Sequence, residues 1–341
     1  MGMKIAVVGY GVSGFEAWTQ AGHEVMVIPA PGGAHPVYSE EELGERCRDV
    51  DILVNGGRYQ ISGRVMDRIP ELRAIVVPFI GVDKIDVQAA TARGILVVNT
   101  PSEELVVSVA EAAILLMLAL NKRLHHDERL LQAGRSGSPA DRNDIFWRRT
   151  VGIVGFGRTG RAVAHRLRGW DVRIVAYDPY VGEVPEGLDG LVTLVDLETL
   201  LAQSDFVSIH ALLTEETFHV IGARELRLMK PTAYLVNTAR GAIVDEEALA
   251  DAIEQGVIAG AGIDTFEVEP LPMTSRLRRL DPERVILTPH NLPHSREALD
   301  ANMRLFTRNV LELAAGRIPA QVVNTAAVPA WQQRLAVPIK P

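Results

Sequence analysis

Short runs of apolar residues recur along the chain, and segments with a helical spacing of apolar positions separate them. Runs without polar alternation are typical of strands covered on both faces, as in parallel sheets with helical crossovers. There are too many such runs for one modest sheet, so the pattern predicts two α/β units. The runs are Ile5–Val8, Val25–Ile28, Asp51–Val54, Ala74–Val77, Ile95–Val98, Val151–Val154, Val172–Tyr177, Phe206–Ile209, Ala233–Val236, Ala261–Ile263 and Val285–Leu287.

Two breaks in this pattern indicate how the units are divided along the chain. At the first, Pro101 disfavours helix for the residue before it, and Ser102 suits the cap of a helix that runs to Leu120. The second lies at Thr288–Pro293, and the helical spacing over Arg296–Ala315 suits a helix that packs back onto the first unit. The predicted domains are therefore 1–100 with 291–325, and 101–290, followed by an extended, proline-containing tail over 326–341.

Composition and charge narrow the classes of function. The 341 residues are 47% hydrophobic and 23% charged, which is ordinary for a globular protein with a full core. A net charge of −8 argues against nucleic acid or an anionic membrane as a partner, since both require a basic surface. The longest apolar run, Ala112–Leu120, is too short to span a bilayer. A single cysteine, Cys47, excludes an intrachain disulfide and favours a cytoplasmic location.

A glycine-rich segment in the second half has the context of a dinucleotide-binding fold. The strand Val151–Val154 leads into Gly155-Phe-Gly157-Arg-Thr-Gly160, a helical segment follows, and the next strand ends at Asp178. The glycines permit a tight turn and the close approach of a pyrophosphate, whose charge is favoured at a helix N-terminus. Asp178 suits the adenosine ribose and would repel a 2′-phosphate, and residues 179–181 include no arginine. The segment therefore predicts NAD rather than NADP.

A second segment, Gly9-Tyr-Gly11-Val-Ser-Gly14, has the same glycine spacing without this context. Only Phe15–Ala21 is left for a helix, and the strand after it ends without an acidic residue. We interpret it as a tight turn between strand and helix and not as a second cofactor site.

Three side chains of complementary chemistry follow separate predicted strands. Arg240, Glu269 and His290 come after the strands that begin at residues 233, 261 and 285, and ligands bind at the carboxyl ends of strands in open α/β sheets. A guanidinium grips a carboxylate and polarises a ketone, and a histidine transfers a proton. A glutamate beside the histidine orients the ring and favours its protonated form. The set predicts hydride transfer to or from a small anionic 2-keto or 2-hydroxy acid.

At these residues the chain resembles the D-isomer-specific 2-hydroxyacid dehydrogenase family, over about Asp51–Asn324. Several motifs in the same order are more specific than any one of them. Besides the glycine segment with Asp178, the matching motifs are Gly81-Val-Asp-Lys-Ile-Asp86, Asn99-Thr-Pro101, Val109-Ala-Glu111, Asn237-Thr-Ala-Arg240-Gly241, Asp264 through Glu269-Pro270, and Thr288-Pro289-His290.

The resemblance implies a fold and an active site. The fold is an NAD-binding Rossmann domain inserted in a flavodoxin-like substrate domain, with the two domains closing over a cleft, commonly in a homodimer. Matched residue by residue, Arg240 binds the substrate, His290 donates the proton and Glu269 is its acidic partner.

The resemblance also implies the residues that bind the cofactor and the substrate carboxylate. Asp264 contacts the nicotinamide carboxamide, and the backbone of Ile80, Gly81 and Val82 holds the carboxylate. The predicted cofactor-binding set, taken from the glycine segment and the resemblance together, is Gly155, Gly157, Arg158, Thr159, Gly160, Asp178, His210, Thr238, Ala239 and Asp264. His210 is expected to contact the ribose region of the cofactor or to cap a strand.

Departures from the family pattern bear on the substrate. Leu292-Pro293, followed by His294, stands where Gly-Gly is usual after the catalytic histidine, and Leu212 replaces a proline. Thr159 stands where isoleucine is common, and Ile145–Arg149 is unusual. A common substrate such as pyruvate is therefore not assumed.

Two further residues have alternative interpretations. Arg58 follows a strand of the first unit, and we hypothesise that it binds a second anionic group of the substrate, although a surface arginine fits equally well. His294 lies four residues after His290, as in some metal-binding pairs, but Pro289 and Pro293 oppose the helix such a pair needs. No metal is expected.

The predicted protein is an NAD-dependent oxidoreductase for a small 2-keto or 2-hydroxy acid, D-specific by resemblance. One alternative on the same fold is NAD-dependent oxidation of phosphite or formate, of which the formate branch resembles a Gln where this chain has Glu269. The other is a non-catalytic NADH-sensing scaffold.

Overall fold

The chain divides into two units of α/β structure. The computed structural model describes residues 2–9, 15–31, 37–57 and 59–336. Unit 1 comprises Met1–Leu105 with Arg296–Pro341, and unit 2 comprises Val106–Ser295. The sequence placed these boundaries after residues 100 and 290.

Strands and helices alternate through the described residues. The strands are β1 (Lys4–Gly9), β2 (Glu24–Ile28), β3 (Ile52–Gly56), β4 (Ala74–Val76), β5 (Leu96–Val98), β6 (Thr150–Val154), β7 (Arg173–Tyr177), β8 (Val192–Leu194), β9 (Phe206–Ile209), β10 (Tyr234–Asn237), β11 (Gly260–Ile263) and β12 (Val285–Leu287). The helices are α1 (Glu16–Gln20), α2 (Glu40–Arg46), α3 (Gly63–Asp67), α4 (Val87–Ala92), α5 (Glu103–Asn121), α6 (Leu124–Gln132), α7 (Arg158–Arg166), α8 (Leu197–Gln203), α9 (Ala223–Leu228), α10 (Glu246–Glu254), α11 (Arg296–Ala314) and α12 (Val328–Ala336).

Unit 1 is built on a five-stranded parallel sheet in the order β2-β1-β3-β4-β5, the flavodoxin-like arrangement. Apolar side chains cover both faces, as the unbroken runs predicted. On one face Trp18 of α1 meets Phe306 of α11, with ring centroids 5.4 Å apart in an edge-on arrangement. Helix α11, which follows unit 2 in the sequence, therefore completes the core of the N-terminal sheet.

Unit 2 is built on a seven-stranded parallel sheet in the order β12-β11-β10-β9-β6-β7-β8. The order reverses at β6, between β7 and β9, as in a dinucleotide-binding fold. Helix α5 buries Ala113, Met117 and Leu120 against this sheet, as expected for a core helix. The prediction of two doubly wound parallel sheets, one Rossmann-like and one flavodoxin-like, is confirmed.

Sequence reasoning missed β8 and misassigned the C-terminal tail. The strand β8 is short, and Thr193 within it is exposed, so it lacks an unbroken apolar run. We expected an extended tail over 326–341, whereas Val328–Ala336 is the helix α12. Pro329 lies in its first turn, where the missing N–H is not needed, and Trp331 is 1% exposed in the core of unit 1.

Polar contacts also attach the C-terminal segment to unit 1. The Asn324 side chain accepts a hydrogen bond from Val97 N at 2.8 Å and donates one to the Ile95 carbonyl at 2.9 Å. The Arg334 guanidinium donates to the Arg93 and Pro70 carbonyls.

Among the described residues, no helix combines the length and apolarity needed to cross a bilayer.

We expect Trp331→Ala to lower the free energy of unfolding by about 3–5 kcal/mol, since a large buried ring is removed and a cavity remains. Urea denaturation measures this. Gln332→Ala on the exposed side of the same helix is the control, expected to stay within about 0.5 kcal/mol of the parent. Equal stability of the two variants would show that α12 contributes little to the core.

Candidate active site

Three adjacent strands of unit 2 carry the residues expected to catalyse. In the parallel register Asn237 is paired with Ile263, and Ile263 with Leu287, so β10, β11 and β12 end at the same edge of the sheet. Arg240, Glu269 and His290 follow these three ends. Residues distant in the sequence are thus brought together as predicted.

Glu269 and His290 are joined by hydrogen bonds. The Nδ1 atom of His290 lies 3.0 and 2.9 Å from the two carboxylate oxygens of Glu269. The carboxylate also accepts a hydrogen bond from Phe266 N at 3.0 Å. Burial by itself raises the pKa of Glu269, but the hydrogen bonds and the charges of His290 and Arg240 outweigh burial and hold that pKa below its ordinary value.

The backbone sets the direction of the His290 ring. His290 has a φ of +52°, an uncommon conformation for a residue with a side chain, and its N–H donates to the Thr288 carbonyl at 3.0 Å. Because Nδ1 faces Glu269, Nε2 is the ring nitrogen directed away from the carboxylate. This geometry suits a proton donor whose orientation is fixed from behind.

Arg240 is held by the turn that contains it. The Asn237 side chain donates to the Arg240 carbonyl at 2.8 Å and accepts from Ala239 N at 3.0 Å, which fixes the turn after β10. One guanidinium nitrogen donates to the Ala239 carbonyl at 2.8 Å. Arg240 is half-buried, and its positive charge helps to lower the pKa of Glu269. Arg240 and Glu269 are therefore close enough to interact electrostatically.

A group of contacts missed by sequence reasoning braces the loop that ends at Glu269. A Cβ at Gly241 would lie 1.9 Å from the Phe266 carbonyl carbon, so the loops after β10 and β11 touch through their backbones. Glu246 at the start of α10 accepts from Glu267 N at 2.7 Å, and His219 Nε2 lies 2.9 Å from Glu267 Oε1. The only sign of this brace in the sequence is that Glu246 and Glu267 follow strand ends, and the sequence motifs assign a role to neither residue.

The three glycines of the loop after β6 meet different surroundings. Gly155 has a φ of +90°, and a Cβ there would lie 2.4 Å from Ala211 N. A Cβ at Gly160 would lie 2.2 Å from the Gly155 carbonyl oxygen, so it permits close packing of helix on strand. A Cβ at Gly157 would meet nothing within 4 Å. The loop therefore leaves open space at its middle glycine, where a pyrophosphate approaches in this fold.

Asp178 is tied to the same loop. One carboxylate oxygen accepts from Phe156 N at 2.9 Å and the other from Tyr180 N at 3.0 Å. Each oxygen keeps a further lone pair for a ribose hydroxyl. Arg158 is exposed in the first turn of α7, and Thr159 follows it half-buried.

Three buried polar atoms near the strand ends have no hydrogen-bond partner among the described residues: His210 Nδ1, Thr238 Oγ1 and Asp264 Oδ2. Asp264 directs its other oxygen to Thr288 Oγ1 at 2.6 Å. His210 Nε2 lies 2.8 Å from Ser208 Oγ, and burial lowers the pKa of His210 to about 4, so its ring is neutral. Unpaired buried polar atoms are costly, and these fit the polar end of a dinucleotide.

The comparisons with known proteins agree with this geometry. The family model for the NAD-binding domain of D-isomer-specific 2-hydroxyacid dehydrogenases matches residues 114–291. A glyoxylate reductase of Korarchaeum cryptofilum is 41% identical over 295 residues, which cover 85% of this chain and 87% of that protein. The chain belongs to the D-isomer-specific 2-hydroxyacid dehydrogenase family.

Solved structures of the family have the same fold as this dehydrogenase. A glyoxylate reductase from Paecilomyes thermophila is 27% identical with a TM-score of 0.83, covering 94% of this chain and 98% of that one. A D-lactate dehydrogenase from Aquifex aeolicus, complexed with NAD and lactic acid, is 25% identical with a TM-score of 0.81, covering 94% and 99% of the two chains. The chain is thus an NAD-dependent 2-hydroxyacid dehydrogenase, and NAD is confirmed as its cofactor.

The remaining candidate residues of this dehydrogenase lie in unit 1 or at the end of unit 2. In unit 1 the segment Ile80–Val82 follows β4, and the Asn99 side chain donates to the Ile80 carbonyl at 2.7 Å. Arg58 and residues 10–14 of the second glycine segment lie outside the described residues.

His294 lies next to the candidate proton donor. Its ring is stacked 6.4 Å from that of His290, and its Nδ1 lies 3.0 Å from Asn291 Oδ1. Burial, and then the charge of His290, lower the pKa of His294. In the described parts of the chain, no group of three or more His, Cys, Asp or Glu side chains is arranged to bind a metal ion.

The glycine loop of the dehydrogenase gives a test with an internal control. Gly157→Ala should keep its thermal midpoint, because the Cβ enters open space, but should lose NADH affinity about ten-fold or more. Gly160→Ala should lower stability by about 1–3 kcal/mol, because its Cβ collides with the Gly155 carbonyl. Fluorescence titration with NADH and thermal melting measure the two effects, and full NADH affinity in Gly157→Ala would contradict the assigned approach.

Proposed function

We propose that this dehydrogenase reduces a small 2-keto acid of the glyoxylate type with NADH. The observation that carries the proposal is the His290–Glu269 pair beside Arg240 at one sheet edge. Curated relatives named as glyoxylate reductases at 41% identity support the same substrate class.

Arg240 is the proposed substrate-binding residue. Its guanidinium matches a carboxylate in a two-point contact and draws electron density from the adjacent ketone. The Asn237 side chain holds the turn, so the guanidinium is positioned before the substrate binds. The backbone of Ile80, Gly81 and Val82 is proposed to bind a substrate carboxylate, and Arg58 a second anionic group where one is present.

His290 is the proposed proton donor and Glu269 its partner. Bound NADH would supply the hydride to the keto carbon. The carbonyl oxygen then takes a proton from His290 Nε2, and the hydroxyl group of the product is formed. The ionised Glu269 stabilises the charged ring before transfer and keeps Nε2 aimed at the substrate.

The cofactor-binding residues are proposed from the local geometry. Asp178 binds the adenosine ribose, and the polar atoms of His210, Thr238 and Asp264 contact the nicotinamide half. The proposed binding set is completed by Gly155, Gly157, Arg158, Thr159, Gly160 and Ala239, which line the loops after β6 and β10.

We also propose that the enzyme is a homodimer located in the cytoplasm. Support for a dimer comes from large apolar side chains of unit 2 that are exposed, namely Leu115, Leu124, Leu131, Ile145 and Trp147. Support for the location comes from the single, buried Cys47, which burial keeps as a thiol by raising its pKa to about 11.

Substitutions in the proton-transfer pair should separate chemistry from binding. His290→Asn keeps a residue that tolerates the left-handed backbone, and should lower kcat at least about 100-fold with little change in the Kd of NADH. Glu269→Gln should lower kcat less, because the proton donor itself remains in place. An equal loss of NADH affinity in His290→Asn would indicate a structural role.

The pH dependence of the parent enzyme follows from the lowered pKa of Glu269. Because the pKa of Glu269 is lower in the folded than in the unfolded state, its ionised carboxylate stabilises the folded protein above the ordinary pKa of a carboxyl group. This stabilisation is lost as pH falls through the lowered pKa. We therefore expect reduction to persist through mildly acidic pH. Steady-state rates from acidic to alkaline pH, with parent and Glu269→Gln side by side, measure this.

The substrate is tested by loss of NADH absorbance against a panel of 2-keto acids. The panel runs from glyoxylate, pyruvate and hydroxypyruvate to phosphorylated and dicarboxylic analogues, with NADPH in parallel. Turnover of glyoxylate above the larger acids supports the proposal, and a preference for dianionic acids supports the role of Arg58. NADH binding without turnover of any keto acid would overturn it, and phosphite or formate oxidation would then be assayed before a sensor role.

A further inference from the structure

An exposed hydrogen bond connects the two loops that flank the glycine loop of unit 2. Because β6 lies between β7 and β9 in the sheet, the loops after β7 and β9 border the loop after β6 on either side. Tyr180 in the first donates its hydroxyl to Glu216 Oε2 in the second at 2.5 Å. Tyr180 is 80% exposed, so burial does not account for its orientation.

Both ends of this bridge are fixed by local structure. At one end Tyr180 N donates to the Asp178 carboxylate, so the tyrosine is attached to the proposed ribose-binding residue. At the other end Thr217 Oγ1 donates to the Leu212 carbonyl at 2.6 Å and accepts from Thr214 N at 2.8 Å, which holds the turn that contains Glu216. Tyr180 therefore connects the two carboxylates, since its backbone N–H is bonded to Asp178 and its hydroxyl to Glu216.

Two acidic residues are bonded to Tyr180. Asp178 and Glu216 are bound to the same tyrosine, Glu215 precedes Glu216, and residues 179–181 include no Lys or Arg. The pKa of Tyr180 is raised mainly by its hydrogen bond to Glu216 and then by the charge of that carboxylate. The charge of Asp178 raises it by a smaller amount. Two cations lie at the glycine loop: Arg158 at the start of α7, at the side where a pyrophosphate approaches, and Arg161, whose Nε donates to the Phe156 carbonyl at 2.8 Å.

We propose that Glu216, held beside Asp178 by Tyr180, is a second carboxylate that excludes the 2′-phosphate of NADPH and is a specificity-determining residue for NADH. A 2′-phosphate carries a charge of about −2, so each nearby carboxylate opposes it, whereas the 2′-hydroxyl of NADH is neutral. Asp178 bonds the hydroxyls and repels the phosphate, and Glu216 adds repulsion without a role in NADH binding. The inference rests on the assignment of Asp178 to the ribose.

The test measures the Kd of NADH and of NADPH by fluorescence titration of the enzyme without substrate. In Glu216→Gln we expect the Kd of NADPH to fall about five-fold, the scale of a water-screened interaction with a doubly charged phosphate, and that of NADH to stay within about two-fold. The ratio of the Kd of NADPH to the Kd of NADH should also fall at high salt in the parent, because salt screens the repulsion, and it should fall less in the variant. Glu216 is exposed, and thermal melting checks that the variant folds as the parent does.

Two matched variants separate position from charge. Glu215→Gln removes the same charge one residue away, from a side chain to which Tyr180 is not bonded in the described structure, and should leave the ratio near that of the parent. Tyr180→Phe keeps the Glu216 charge but releases it, and should lower the ratio by less than Glu216→Gln does. An unchanged ratio in Glu216→Gln, an equal fall in Glu215→Gln, or a parental ratio in Tyr180→Phe would overturn the inference.

Asp178→Ala in the same titration distinguishes this inference from the function on which it rests. A large loss of NADH affinity in Asp178→Ala supports the ribose assignment, and an unchanged ratio in Glu216→Gln then overturns the inference alone. Full NADH affinity in Asp178→Ala would overturn the ribose assignment and the inference with it.

Discussion

The candidate active site depends on one close backbone contact, between Gly241 and the loop after β11. A Cβ at Gly241 would fall 1.9 Å from the Phe266 carbonyl carbon and 2.2 Å from Glu267 N. Because Arg240 precedes this glycine and Glu269 ends that loop, the contact sets the spacing between these two residues. The parallel register of the three strands, with the hydrogen bonds of Asn237 and Glu246 to the loops after β10 and β11, then supplies the rest of the geometry.

Much of the fold and the site was predictable because parallel sheets make the sequence informative. Buried strands appear as unbroken apolar runs, and ligands bind at the carboxyl ends of strands in this fold, so Arg240, Glu269 and His290 were proposed as site residues from their positions. Helix α12 was missed because its apolar face depends on Trp331 meeting a sheet far away in the sequence. The brace of His219, Glu246 and Glu267 was missed because its members act only through contacts that no motif records.

Under the proposed function, the electrostatics around Arg240 suit a substrate of low charge. Arg240 lies close enough to Glu269 for its charge to help lower the pKa of that carboxyl, and burial, together with the neighbouring acids Glu267, Glu247 and Glu269, raises the pKa of Glu246. One guanidinium in such surroundings suits one substrate carboxylate. A second anionic group would need a further cation, the role that the sequence suggests for Arg58.

The route of the chain through unit 1 has a consequence for how the protein is made. The core on one face of its sheet includes Phe306, Val310, Leu313 and Trp331, which are the last parts of that core to be synthesised. Unit 2 is continuous from Val106 to Ser295 and has all of its strands before α11 leaves the ribosome. Translation therefore presents the nucleotide-binding unit as a complete folding unit first. One face of the N-terminal sheet therefore stays uncovered during translation until α11 and α12 have been synthesised.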